Sequence, residues 1–138
     1  SHELDYAVWL FGNLKPNFVV SKKISNLKIE SDDYLSLFLA NKQQTYIQIS
    51  LNYFMKKPTR KIFIDGEDIS IQTDLINNTS FVFEKDQHNI EKLDNFNRNK
   101  MYEEQHDDVI NHKFDKISSF TEANSLMKLI DKIKENKI

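Results

Sequence analysis

The sequence predicts an α+β domain: an open, mainly antiparallel β-sheet with helices packed on one face. Three observations carry this. Apolar residues recur at helical spacing near both ends of the chain, and they alternate at period two through its middle. Short polar or glycine-containing links join the alternating runs, which sets neighbouring strands antiparallel. At 138 residues the chain is long enough to bury a core as a single domain spanning residues 1–138.

Residues 2–11, His-Glu-Leu-Asp-Tyr-Ala-Val-Trp-Leu-Phe, read as a short helix. Ser1 suits its cap, and Glu3 and Asp5 suit the positive end of the helix dipole. Gly12 is placed to stop it, because glycine accepts the left-handed conformation after a helix, and Pro16 disfavours resumption. Leu4, Val8 and Phe11 form a core stripe; Ala7, Trp9 and Leu10 add apolar flanks, so the helix is expected to be covered on most sides.

The strands follow. Phe18–Lys28 reads as an irregular one. Tyr34–Ala40 places Leu35, Leu37 and Leu39 on one face; Thr45–Phe54 alternates Ile47, Ile49, Leu51 and Tyr53 against Gln48, Ser50 and Asn52. Arg60–Asp65 carries Ile62 and Ile64, and Asp68–Leu75 carries Ile69 and Ile71; Asp65-Gly66-Glu67 turns between them. Asn77-Asn78 leads into Thr79–Glu84, where Phe81 and Phe83 share a face. Lys85–Asn99 reads as a polar loop with one short strand around Ile90.

The period then changes. Asn99–Asn111 has Met101, Tyr102, Val109 and Ile110 at helical spacing, with His106 packed or half-buried among them. A last helix starts near Ser119 or Thr121, where Ser119 and Glu122 fit a capping box, and buries Leu126, Leu129, Ile130 and Ile133.

Composition excludes several functions. Gly12 and Gly66 are the only glycines, so this chain has neither a dinucleotide fingerprint nor a phosphate-binding P-loop, and no cofactor site is expected in it. Without cysteine there are no disulfides or thiolate metal sites. A net charge of −2 offers no general attraction to nucleic acid or anionic membranes. No apolar run approaches the ~18 residues a membrane span needs, and no signal peptide is visible, so a cytoplasmic setting is the expectation. The chain starts at Ser1 without a methionine, which is expected of a processed or truncated chain.

Chemistry-bearing residues are few. His2 and Asp5 are three positions apart and share a helix face. A histidine can exchange a proton near neutral pH, and a neighbouring carboxylate can orient it or hold a substrate hydroxyl. The weightier reading from spacing alone is a polar helix start with a solvated histidine. His2-Glu3 lacks the second histidine of a zinc motif, because position 6 is Tyr6; no metal is expected. His106 and His112 fall on different helix faces, and His88 sits in the polar loop. The basic run Met55–Lys61 can contact an anionic group, but a solvated turn between strand ends explains it more simply.

Taken together, these residues resemble one family. His2-Glu-Leu-Asp5-Tyr-Ala-Val-Trp9-Leu10-Phe11-Gly12 is similar to the His-x-x-Asp, Trp-Leu-Phe-Gly segment that opens the second domain of Gfo/Idh/MocA-type oxidoreductases, the family of glucose-fructose oxidoreductase and inositol dehydrogenase. Leu51-Asn-Tyr53-Phe-Met-Lys-Lys-Pro58-Thr-Arg60 resembles the strand entering the Pro-x-Arg segment. Ile64-Asp-Gly66-Glu67 resembles its Ile-x-Gly-Glu hairpin, although Asp68 stands where a glycine is common. Phe96-Asn-Arg98-Asn99-Lys-Met101-Tyr102 resembles its Arg-Asn-x-Met-Tyr segment, and Glu122 to Ile133 sits where the family has its final helix.

The resemblance implies the second domain of a two-domain dehydrogenase. It would bind a sugar or polyol and build a homo-oligomer through the open sheet face; NAD or NADP would bind to a preceding Rossmann domain absent from this chain. In the family a histidine belongs to the proton relay, a role that falls on His2, and Asp5 matches a position near the substrate. Tyr53 falls on the substrate-facing side of the sheet. The relay aspartate and the catalytic lysine of a Glu-Lys-Pro motif would lie before Ser1, so the chain alone is expected to be inactive. The alternative is a non-enzymatic binding or dimerisation module of the same fold.

Overall fold

The computed structural model describes residues 2–85, 87–92 and 97–138, so Ser1, assigned above as a cap, and Phe96 lie outside the described residues. Helix α1 runs His2–Phe11. It ends as glycine permits: Gly12 takes a φ of +75°, and its amide donates to the Val8 carbonyl at 2.8 Å. Leu4 and Ala7 are buried, with Val8 and Phe11 packed partly against the same core. The helix is not covered on most sides, because its apolar run wraps further round the cylinder than one packing face can bury; Trp9 and Leu10 stay exposed.

Strands β1 (Lys15–Lys22), β2 (Tyr34–Ala40) and β3 (Tyr46–Asn52) form an antiparallel sheet in that order. β1 therefore starts and ends earlier than the strand expected over Phe18–Lys28. Pro16 is tolerated near the start of the strand, where the register shifts between Pro16 and Phe18. Beyond Lys22 the chain leaves the sheet and folds around Asp33. On the covered face Val19 lies opposite Leu37, Leu37 opposite Ile49, and Leu39 opposite Ile47. Val19, Leu37 and Leu39 are essentially inaccessible to water. The other face carries Phe18, Phe38 and Tyr46, all exposed.

Helix α3 (Phe120–Glu135) closes this core with Leu129 and Ile133, and Leu126 and Ile130 pack beside them. Its expected capping box is present: the Ser119 hydroxyl accepts from the Glu122 amide at 3.2 Å, and the Ser119 amide donates to the Glu122 carboxylate at 2.7 Å. A single 3₁₀ turn, Phe114–Lys116, precedes it. The C-terminus returns to β1, where the Ile138 amide donates to the Val19 carbonyl at 3.2 Å and the Lys137 ammonium bonds Asp32.

The chain divides into two compact units: Ser1–Phe54 with Phe114–Ile138, described so far, and Met55–Lys113. The second unit is an antiparallel meander of β4 (Lys61–Asp65), β5 (Ile69–Asp74), β6 (Thr79–Glu84) and β7 (Gln87–Lys92), followed by α2 (Arg98–Ile110). The described pairings thus make a three-stranded and a four-stranded sheet rather than one. The expected hairpin at Gly66 forms, its amide donating to the Ile69 carbonyl at 2.8 Å. Register sorts the apolar residues into two faces. Ile64, Ile71 and Val82 line up on one; Phe63, Phe81 and Ile90 line up on the other, which Phe83 shares. His88 lies on β7 rather than in a loop, with its ring edge against Phe83 at a centroid distance of 5.2 Å. Met101, Tyr102, Val109 and Ile110 stay exposed on α2, and so does His106, contrary to the expectation that it packs.

Candidate functional site

The face of α1 opposite its buried stripe holds the candidate site. A helix turns about 100° per residue, so His2, Asp5 and Trp9 fall within a sector of about 60°, while Leu4, Ala7 and Phe11 project to the other side. The two sets do not compete for the same surface: core packing fixes the helix and leaves the polar stripe free. His2 and Asp5 are exposed, and Trp9 is 82% exposed. No ion pair joins His2 to Asp5 among the described residues, so both have hydrogen-bonding capacity to offer a ligand.

Tyr53 follows the last residue of β3 and is also exposed. Its backbone is fixed: the Tyr53 amide donates to the Asp33 carbonyl at 3.0 Å. No hydrogen bond links it to His2 or Asp5 among the described residues. The structure therefore unites the histidine and the carboxylate on one helix and leaves Tyr53 as a separate exposed aromatic at a strand end. The basic run lies between β3 and β4 with residues 55–60 exposed; only Lys61 enters a strand, opposite Asp74. No group of three or more histidine or carboxylate side chains able to hold a metal occurs among the described residues.

Two features were not read from the sequence. Trp9 reads as apolar flank by hydrophobicity alone; the signal that sets it on the polar side is its spacing from Asp5, one helical turn away. The other is Asp33, whose carboxylate has no accessible surface. Burial opposes its charge, but the Ile24 amide at 2.8 Å, the Ser25 hydroxyl, the Lys23 ammonium at 3.0 Å and the Ser25 amide at 3.1 Å outweigh it, holding the carboxyl well below the usual carboxylate range. With its lone pairs already occupied, Asp33 is a poor proton acceptor; it shapes the β1–β2 connection and, through its carbonyl, the backbone at Tyr53.

A dinucleotide cofactor needs a phosphate cradle. Phosphate cradles need clustered glycines at a strand-to-helix turn, whereas Gly12 closes α1 and Gly66 sits in a hairpin. All the strand pairs are antiparallel, with no βαβ crossover among the described residues. The residues of this chain do not fit that cofactor.

No family model matches the sequence, and no curated protein matches it. Solved structures do. UDP-N-acetylglucosamine 3-dehydrogenase GnnA from Acidithiobacillus ferrooxidans superimposes with a TM-score of 0.77 at 16% identity, over 96% of this chain and 44% of that one. The likeness shows the fold. KijD10, a 3-ketoreductase from Actinomadura kijaniata solved with TDP-benzene and NADP, matches with a TM-score of 0.74 at 11% identity over 99% of this chain and 45% of its own. An oxidoreductase from Agrobacterium radiobacter, in complex with NAD+, L-tartaric acid and magnesium, gives 0.69 at 18% over 98% and 44%. This chain therefore spans less than half the length of these oxidoreductases, aligned to their C-terminal part. Its open antiparallel sheets and helices are the α+β arrangement expected from the sequence.

Proposed function

We propose that this chain is the C-terminal, substrate-binding and oligomerising part of an NAD(P)-dependent oxidoreductase acting on a sugar or polyol. The observation that carries the reading is the exposed His2–Asp5 pair, held on the solvent side of α1 by a helix whose other side is locked into the core. Two of the neighbours, a sugar-nucleotide dehydrogenase and a ketoreductase, support a carbonyl–hydroxyl interconversion.

In this reading His2 takes the proton from the substrate hydroxyl during oxidation and returns it during reduction. Asp5, one turn along, accepts a hydrogen bond from a neighbouring hydroxyl and fixes which carbon is presented. Tyr53 adds an aromatic contact from the end of β3. A nicotinamide cofactor, NAD or NADP, held by a preceding segment of the full protein would supply the hydride chemistry. The sheet faces that keep Phe63, Ile90, Phe38 and Tyr46 exposed are the surfaces for homo-oligomerisation. No described helix is long and apolar enough to cross a membrane, and a cytoplasmic setting suits a nicotinamide enzyme.

The test is His2→Ala in the full-length protein, assayed for turnover over a panel of sugars and polyols with both cofactors. Loss of kcat by about 100-fold or more is expected for removal of a proton-transfer group. Unchanged turnover would assign His2 a structural role and remove the relay, whereas a full-length protein that turns over none of the panel would favour the non-enzymatic binding module.

A further inference from the structure

The exposed stripe of α1 does not end at Asp5. Trp9 continues it one turn further, and at 1.5 Å of rise per residue the stripe extends about 10 Å from His2. Helical side chains lean toward the helix N-terminus, so a residue at position 9 lies over the turn that bears Asp5. A large ring is thus set beside a carboxylate, with a histidine beyond it, in the order platform, hydroxyl acceptor, proton acceptor. Trp9 is also the chain's only tryptophan, and it is 82% exposed although the same helix has a buried face.

We propose that Trp9 is the platform on which the sugar ring of the substrate rests. The inference builds on the oxidoreductase reading and adds a specificity-determining residue to it. A pyranose or cyclic polyol has an apolar face of C–H groups and a rim of hydroxyls. The indole face, with its negative quadrupole, accommodates the C–H face, and the rim then meets Asp5. Stacking fixes the plane of the ring and the carboxylate fixes its rotation, so one carbon is presented toward His2. An acyclic ligand without such a face gains nothing from the indole.

The single tryptophan makes the proposal directly measurable, because intrinsic tryptophan fluorescence of the 138-residue chain reports Trp9 alone. The chain is titrated with D-glucose, myo-inositol and UDP-N-acetylglucosamine, with UDP as control, and neither cofactor nor turnover is needed. A saturable change in emission with at least one ring-bearing probe, absent with UDP and lost in Asp5→Ala, is expected. No response to any probe, or the same response to UDP as to the sugar nucleotide, overturns the proposal. In the full-length protein Trp9→Ala should raise KM about threefold to tenfold and also lower kcat, because the ring is no longer held in plane before His2, and Trp9→Phe should restore most of both losses. A Trp9→Ala protein that loses assembly but keeps its KM would show that Trp9 packs against the rest of the protein and would overturn the proposal. The two readings fail separately. A responsive Trp9 in a protein indifferent to His2→Ala leaves the platform and removes the relay; a silent Trp9 with an inactive His2→Ala protein does the reverse.

Discussion

The two units are built from similar apolar strands, yet their interiors differ. Among the described residues, all eight buried hydrophobic ones (Leu4, Ala7, Leu14, Val19, Leu37, Leu39, Leu129 and Ile133) lie in the unit formed by Ser1–Phe54 and Phe114–Ile138. Among the described residues of Met55–Lys113, none is buried to that degree. Hydrophobicity does not account for the contrast, since β4 to β6 carry Ile62, Ile64, Ile71, Phe81, Val82 and Phe83. Coverage does. In the first unit α1 and α3 lay apolar stripes on one sheet face, whereas in the second the register divides the apolar side chains between two faces and α2 keeps its own apolar residues exposed. A strand pattern creates a core only where another layer is supplied.

The sharpest way to break this comparison is a matched pair of truncations. Leu37→Ala should cost about 2–5 kcal/mol, because the cavity it opens is enclosed by the sheet and both helices. Val82→Ala, only partly covered, should cost about 1 kcal/mol. Urea unfolding followed by circular dichroism measures both, and hydrogen exchange assigns each loss to its unit. Equal costs would mean that the second unit has a closed core after all.

Acid should separate the units next. Asp33 titrates well below the ordinary carboxylate range in the folded chain, for the reasons given above, and Asp32 is lowered by its bonds to Lys137 and Ser21. A carboxyl that titrates lower when folded binds fewer protons than its unfolded counterpart. Its stabilisation is therefore complete above the ordinary carboxylate range and is lost as pH falls through that range toward the folded value. Among its described residues the second unit has one such group, Asp74, lowered chiefly by the amide and side chain of Asn77 in an exposed turn. Denaturant unfolding at a series of pH values should show the first unit weakening more steeply. Asp33→Asn should lower its stability at neutral pH and flatten its acid dependence, while Asp74→Asn should do so only slightly; an Asp33→Asn chain with the slope intact would refute the assignment.

What was legible in the sequence tracks the range of the interaction. Gly12, the Ser119–Glu122 box and the Gly66 hairpin are decided within a few residues, and each formed where the residues put it. The alternation in β2 and β3 correctly located Leu37 and Ile49. What could not be read depends on distant partners. Nothing local marks Asp33 as the acceptor for the Ile24 and Ser25 amides, so the apolar pattern extends the first strand to Lys28 where β1 ends at Lys22. Nothing local fixes which face of β6 meets which residues of β4, and nothing within α2 tells whether a layer covers His106. At the candidate site, helical spacing puts His2 and Asp5 on one face but by itself favours a solvated helix start, and the exposure of Trp9 is not legible, because a large aromatic reads as core until the opposite face of its helix is seen to be filled.

The smallest expected effect uses the helix caps. Ser119 and Asn97 each accept a backbone amide at the start of a helix, Ser119 from Glu122 and Asn97 from Asn99 at 3.0 Å. Removing such a cap costs about 1 kcal/mol of helix stability. α3 is docked through Leu129 and Ile133, so its fraying is coupled to the core, and Ser119→Ala should lower global unfolding stability by about that amount. α2 has no comparable buried anchor among the described residues. Asn97→Ala should therefore leave the global transition in place and appear as faster exchange and lower helicity confined to Arg98–Ile110. If both substitutions moved the global midpoint equally, α2 would be as firmly docked as α3, and the contrast between a covered and an uncovered unit would fail at its helices.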